Sequence, residues 1–247
     1  MKKLKKAAEP VESRWMRFVP HILILVFAAQ SFWHALDKSA TYDEPGHLTT
    51  SYLLLKTEHQ DYDIGHPPLA RYLFALPLLV MGPNLPAELE PPRVSAETPL
   101  SELPGSGLYF FATHFLYTNK FKAETILVTS RCVNILLGCL LGFWVYILAR
   151  KLYGEKGAIL SLLLFAFCPN LIAHSSLVTT DIGGLAFAFG FIYYFVRMLE
   201  PHGKGTDVWA GVWMGLALLS KFTNVFLVPF FAVLYLIFGK FRKEAMV

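Results

Sequence analysis

TILVTSRCVNILLGCLLGFWVYILA, residues 125–149, runs for 25 residues with a single charge, Arg131. As a helix rising 1.5 Å per residue it would reach about 37 Å, more than the roughly 30 Å hydrocarbon core of a bilayer. Working outward, five further runs are almost free of charge: residues 18–36, 157–173, 182–196, 208–220 and 222–239. Together they explain a composition that is 55% hydrophobic, 15% aromatic and only 16% charged over 247 residues. An average soluble domain carries about 25% charged residues. The reading is an all-α, polytopic membrane protein with about six transmembrane helices.

Residues 18–36 are long and lack a small-x-small cleavage site, so they read as a retained anchor and not a signal peptide. The run 208–220 is short, about 20 Å as a helix, and must tilt or borrow flanking residues. Cys132, Cys139 and Cys168 lie inside apolar runs without metal or redox spacing. The balance of 22 basic against 18 acidic side chains gives no reason to expect a nucleic-acid partner.

The charges are sorted along the chain. The tail 1–17 carries Lys2, Lys3, Lys5, Lys6, Arg14 and Arg17, and the segments 150–156, 197–207 and 240–247 add further Lys and Arg. With six spans, all four segments fall on one side, while residues 37–124 form one long, predominantly acidic segment on the other. The positive-inside bias then places both termini in the cytoplasm. The domain division is a basic tail 1–17, a membrane domain 18–240 and a short tail 241–247.

Within the outer segment, residues 72–82 and 108–117 are apolar but too short to span comfortably. They read as interfacial helices, with Tyr72, Phe74, Tyr109, Phe110, Phe111, Phe115 and Tyr117 at headgroup level. Between them Pro83, Pro86, Pro91, Pro92, Pro99 and Pro104 exclude regular structure and predict a surface loop or lid.

Chemistry concentrates near the outer span ends. Thr41-Tyr42-Asp43-Glu44-Pro45-Gly46-His47 puts adjacent carboxylates just past the first span. They are either a solvated helix cap, since Pro near the first position starts helices well, or a general base or metal ligand. Asp61 and Asp63 precede His66-Pro67-Pro68-Leu69-Ala70-Arg71. There His66 and Arg71 either cap a turn and snorkel or bind phosphate. Arg131, Asp181 and Lys221 stand at or inside the spans, where a charge costs about 2.5–3.5 kcal/mol at the bilayer centre. They form either a salt-bridge cluster or a polyanion site. Zinc-protease, nucleophile-elbow and Walker motifs are absent.

Four of these motifs in order resemble one family. Asp43-Glu44-Pro45-Gly46-His47, His66 to Arg71, Cys168-Pro169-Asn170-Leu171-Ile172-Ala173-His174 with Val178-Thr179-Thr180-Asp181-Ile182, and Gly215 to Thr223 are similar to segments of bacterial GT-C glycosyltransferases. These use polyprenyl-phosphate sugars and include relatives of dolichyl-phosphate-mannose protein mannosyltransferases and lipid A aminoarabinose transferases (glycosyltransferase family 39-like).

The resemblance spans residues 18–240 and implies inverting transfer from a polyprenyl-phosphate sugar to a protein, lipid or glycan acceptor at the outer face of a bacterial inner membrane, among membrane lipids. It implies Asp43 as base with Glu44 beside it, and His66, Arg71, Arg131, Asp181 and Lys221 at the donor phosphate. A monophosphate donor reduces the need for a divalent metal, although Asp43, Glu44 and His47 could hold one, so both a metal-free and a metal-dependent reaction are consistent with it. Family members usually continue for several more spans, so the chain resembles an N-terminal half. The alternative from another class is a non-catalytic membrane component or transporter half.

Overall fold

The computed structural model describes residues 14–58, 65–86, 105–200 and 205–244. Lys2, Lys3, Lys5, Lys6, Asp61, Asp63, residues 87–104 of the proline-rich stretch, residues 201–204 and the final 245–247 lie outside the described residues. Among the described residues every regular element is helical: α1 (Val19–Asp37), α2 (Glu44–Thr57), α3 (Pro68–Met81), α4 (Gly105–Tyr117), α5 (Ala123–Ala166), α6 (Pro169–Ser175), α7 (Thr180–Met198), α8 (Thr206–Leu218) and α9 (Leu227–Glu244), with short 3-10 turns at Arg14–Arg17 and Phe222–Phe226. The all-α membrane class is borne out. Pro at the first or second position opens α1, α2, α3 and α6, where the missing N–H costs no intrahelical bond.

The long apolar stretch quoted above forms the centre of the bundle. α5 breaks at Gly154, whose φ of 74° lies in the left-handed region that glycine enters without a Cβ penalty. The chain reverses there. A Cβ at Gly142 would lie 2.9 Å from the Phe165 ring, and one at Gly138 would lie 2.5 Å from Ser175 Oγ, contacts that an unbroken helix would place tens of ångströms apart. The reversal falls within the basic segment 150–156, as the span assignment requires.

By length and composition α1, α5 and α7 are able to cross a membrane. The other expected spans are modified. Residues 157–173 are interrupted at Phe167–Cys168, because Pro169 starts the new helix α6. Residues 208–220 become the 13-residue α8, and residues 222–239 begin as a 3-10 turn before α9. α7 and α8 pack closely because Gly190 has no side chain: a Cβ there would meet the Trp213 ring at 2.5 Å. Trp213 in turn stands edge-on to Trp144 of α5, with centroids 4.8 Å apart.

The outer segment is more ordered than its sequence suggests. It contains a helix, α2, in addition to the two expected interfacial ones. Phe74, Phe111 and Phe115 are buried inside the protein and not turned outward as anchors. The reason is that α3 and α4 pack on α2 and α5: Ser130 of α5 donates to the Phe74 carbonyl at 2.9 Å, and Tyr52 of α2 stacks 5.7 Å from Phe115. Leu76, Leu79, Val80, Phe110 and Tyr117 keep an outward apolar face.

Candidate active site

Asp43 and Glu44 are adjacent in sequence but part company at the start of α2. Successive helical residues point about 100° apart. Asp43, at the N-cap, is exposed; Glu44, in the first turn, is fully buried.

Glu44 meets Arg131, itself 1% exposed, in a two-pronged ion pair: Nε to Oε1 at 2.8 Å and Nη2 to Oε2 at 2.7 Å. Nη1 of Arg131 donates to the carbonyls of Ala35 and Lys38, each at 2.7 Å, and Nη2 to that of Ser39 at 2.9 Å. These five contacts match the five N–H donors of a guanidinium. The carboxylate is equally occupied, accepting also from the Thr41 amide and hydroxyl and from the Val178 amide at 2.9 Å. One pair thus ties together the end of α1, the start of α2, the third turn of α5 and the approach to α7. Burial pushes the Glu44 carboxyl up, but the Arg131 hydrogen bond and the Thr41 amide outweigh it and hold the pKa below the usual glutamate value.

Arg131, expected at the donor phosphate, and Glu44, expected beside the base, are thus buried here with their donors and acceptor oxygens engaged by the protein. Arg71 is likewise 1% exposed; its Nη2 donates to the Thr50 carbonyl at 3.1 Å, so it braces α2 from behind instead of snorkelling.

What remains accessible gathers around Asp43. A cavity of about 250 Å³ is lined by Asp43, Gly46, His47, Thr50, His66 and Tyr109. The His47 and His66 rings meet edge to face at 4.6 Å, although 19 residues separate them in sequence. The Tyr109 hydroxyl donates to Asp43 Oδ1 at 3.3 Å. Burial first, and then the neighbouring Tyr42 and Asp43, raise the Tyr109 pKa, so the phenol keeps its proton and its donor role. A second cavity of about 650 Å³, which shares Tyr109 with the first, is lined by Thr41, Tyr42, Pro45, Tyr109, Thr113 and Tyr117. Tyr109 lines both cavities, and it stacks on Tyr42 of the second with centroids 4.4 Å apart.

Asp181 and Lys221 are brought together as an ion pair across the α7 and α8 ends, with side chains 42% and 30% exposed. The Leu69 amide donates to the Leu219 carbonyl at 2.9 Å, which links the segment following His66 to the residues just before Lys221. Asp43, Glu44 and His47 do not form a metal site, since Glu44 turns inward. Among the described residues no group of three or more His, Cys, Asp or Glu side chains is placed to hold a metal ion.

Sequence reasoning missed the tyrosines. Tyr109 and Tyr117 read as interfacial anchors, and nothing in their spacing ties them to Asp43, 66 residues from Tyr109. It also missed Asn134, fully buried on α5, which donates to the His174 and Leu177 carbonyls and holds the turn before α7.

No curated protein and no solved structure matches the chain. Residues 122–247, which include α5 with Arg131, the α6–α7 turn with Asp181, and Lys221, match the family model of dolichyl-phosphate-mannose-protein mannosyltransferases. That match covers more than half of the chain, and the chain belongs to this family of membrane glycosyltransferases.

Proposed function

We propose that the chain moves a sugar from a polyprenyl-phosphate donor to an acceptor hydroxyl, with inversion, at the outer face of a bacterial inner membrane, its basic ends facing the cytoplasm. The observation that carries this reading is the position of Asp43: it is the exposed carboxylate in the wall of the histidine-lined cavity, and Tyr109 orients it from the wall shared with the tyrosine-lined one.

Inversion requires the nucleophile and the leaving group to stand on opposite sides of the anomeric carbon. Two cavities meeting at Tyr109 offer two such approaches. The sugar phosphate enters beside His47 and His66, and the acceptor comes along Tyr42 and Tyr117. Asp43 takes the proton of the acceptor hydroxyl. The acceptor oxygen bonds to the anomeric carbon while the carbon–oxygen bond to phosphate breaks, and the lipid phosphate departs with the bonding pair. His66 and Lys221 are the accessible groups that stabilise its charge, and Asp181 orients Lys221. Glu44, Arg131 and Arg71 hold the frame.

Asp43→Asn keeps the size and removes the base. Transfer from a polyprenyl-phosphate sugar, measured in membranes at matched expression, should fall by about 10²–10⁴-fold. Undiminished transfer would sink the mechanism.

A further inference from the structure

The opposite end of the bundle carries a cavity of about 430 Å³ that the transfer reaction does not use, between the start of α1 and the Gly154 turn of α5. Arg131 and Arg150 lie on the same arm of α5, 19 residues apart. That is about 28 Å along a helix, close to the roughly 30 Å of a hydrocarbon core. The cavity and the Glu44–Arg131 clasp are therefore spaced as the two headgroup layers of one bilayer.

Its lining is cationic at one edge and apolar at the other. Arg17, His21 and Arg150 face a single carboxylate, Glu155. That carboxylate is already engaged, accepting the Tyr146 hydroxyl at 2.7 Å through one oxygen and pairing with Arg150 Nε at 2.7 Å through the other. His21 is held by Nδ1, which donates to the Arg17 carbonyl at 3.1 Å. The Arg17 guanidinium makes no hydrogen bond or ion pair among the described residues, the reverse of Arg131 with all five donors used. Beside these groups Ile24 and Phe143 form an apolar wall, and it continues outward into Ile22 and Leu25, both more than half exposed.

We infer that this cavity binds the phosphate of an anionic phospholipid headgroup, with Arg17 as its main cation, Arg150 and His21 beside it, and an acyl chain along Ile24 and Phe143. A positive-inside bias alone scatters cations at the headgroup level. Here the Arg17 guanidinium, with no partner among the described residues, opens onto a cavity between helices with a hydrocarbon surface running away from it, and basic pockets between helices suit phosphate headgroups. Free phosphate shares the charge but leaves the apolar wall uncovered.

The test uses the full chain in neutral detergent, its melting followed by tryptophan fluorescence with phosphatidylglycerol, phosphatidylcholine or inorganic phosphate added. Phosphatidylglycerol should raise the melting temperature above that in phosphatidylcholine. Arg17→Gln should remove at least half of that difference, Arg17→Gln with Arg150→Gln all of it, and Lys120→Gln at the other end none. A full phosphatidylglycerol shift in the double variant, or an equal shift from inorganic phosphate, overturns the assignment. Because Arg150 also braces the hairpin, native mass spectrometry of Arg17→Gln alone supplies a second reading: fewer retained phosphatidylglycerol adducts than wild type support the site, and unchanged adducts refute it.

Discussion

Glu44–Arg131 and Asp181–Lys221 are both ion pairs made between remote parts of the chain at the same end of the bundle, yet they are built for different ends. The first is sealed, at 0% and 1% side-chain exposure, with every oxygen and every N–H engaged. The second is partly open, with Asp181 at 42% and Lys221 at 30% side-chain exposure. A sealed pair can only hold segments together, because a ligand would have to break bonds to reach it. A half-open pair can exchange a partner for a ligand's charge. Exposure, not residue type, separates frame from site here.

The largest effect should come from breaking the sealed pair. Arg131→Ala leaves Glu44 buried and uncompensated, and removing one partner of a buried pair costs about 3–5 kcal/mol. The expected outcome is a sharp fall in folded yield and melting temperature, well beyond that of Asp43→Asn, which should melt like wild type while losing transfer. Equal destabilisation by Asp43→Asn would erase the division between frame and base.

Acid sharpens the same comparison. Because the Glu44 pKa is lowered on folding, the unfolded chain binds the proton more readily, so stability is complete above the ordinary glutamate value of 4.5 and is lost as pH falls below it toward the folded value. Melting followed between about pH 6 and pH 3 should show a decline that Glu44→Gln flattens. A Glu44→Gln variant with the wild-type slope would place the titration elsewhere.

The open pair should give the smallest change in stability. Asp181→Asn is expected to cost no more than about 1 kcal/mol, since a solvated pair is screened and holds two flexible side chains in place. Its effect should instead appear as a raised KM for the lipid-phosphate donor. A large loss of stability with unchanged KM would make Asp181–Lys221 a second structural clasp.

Much of the fold was legible before any coordinates. The run 125–149, the basic segment 150–156 and Pro169 announce a long helix, a reversal and a new helix start, and each occurs where local chemistry requires it. The outer segment was read less well. Phe111 and Phe115 look like lipid anchors because residues 108–117 are apolar on every side, and only the presence of α2 beneath them decides which ring is covered.

The site divides along the same line. Local sequence determined that carboxylates, imidazoles and cations would collect near the ends of apolar helices, because charge is excluded from hydrocarbon and hydropathy is a property of each segment alone. Tertiary structure decided which of them line a cavity. Asp43 and Glu44 differ by one position and one methylene, and the turn of a helix sends one to a cavity and the other to Arg131, 87 residues away. Hydropathy acts residue by residue along the chain, whereas saturating the Glu44–Arg131 pair needs residues 35–44, Arg131 of α5 and the Val178 amide to converge, and only the packed fold brings them together.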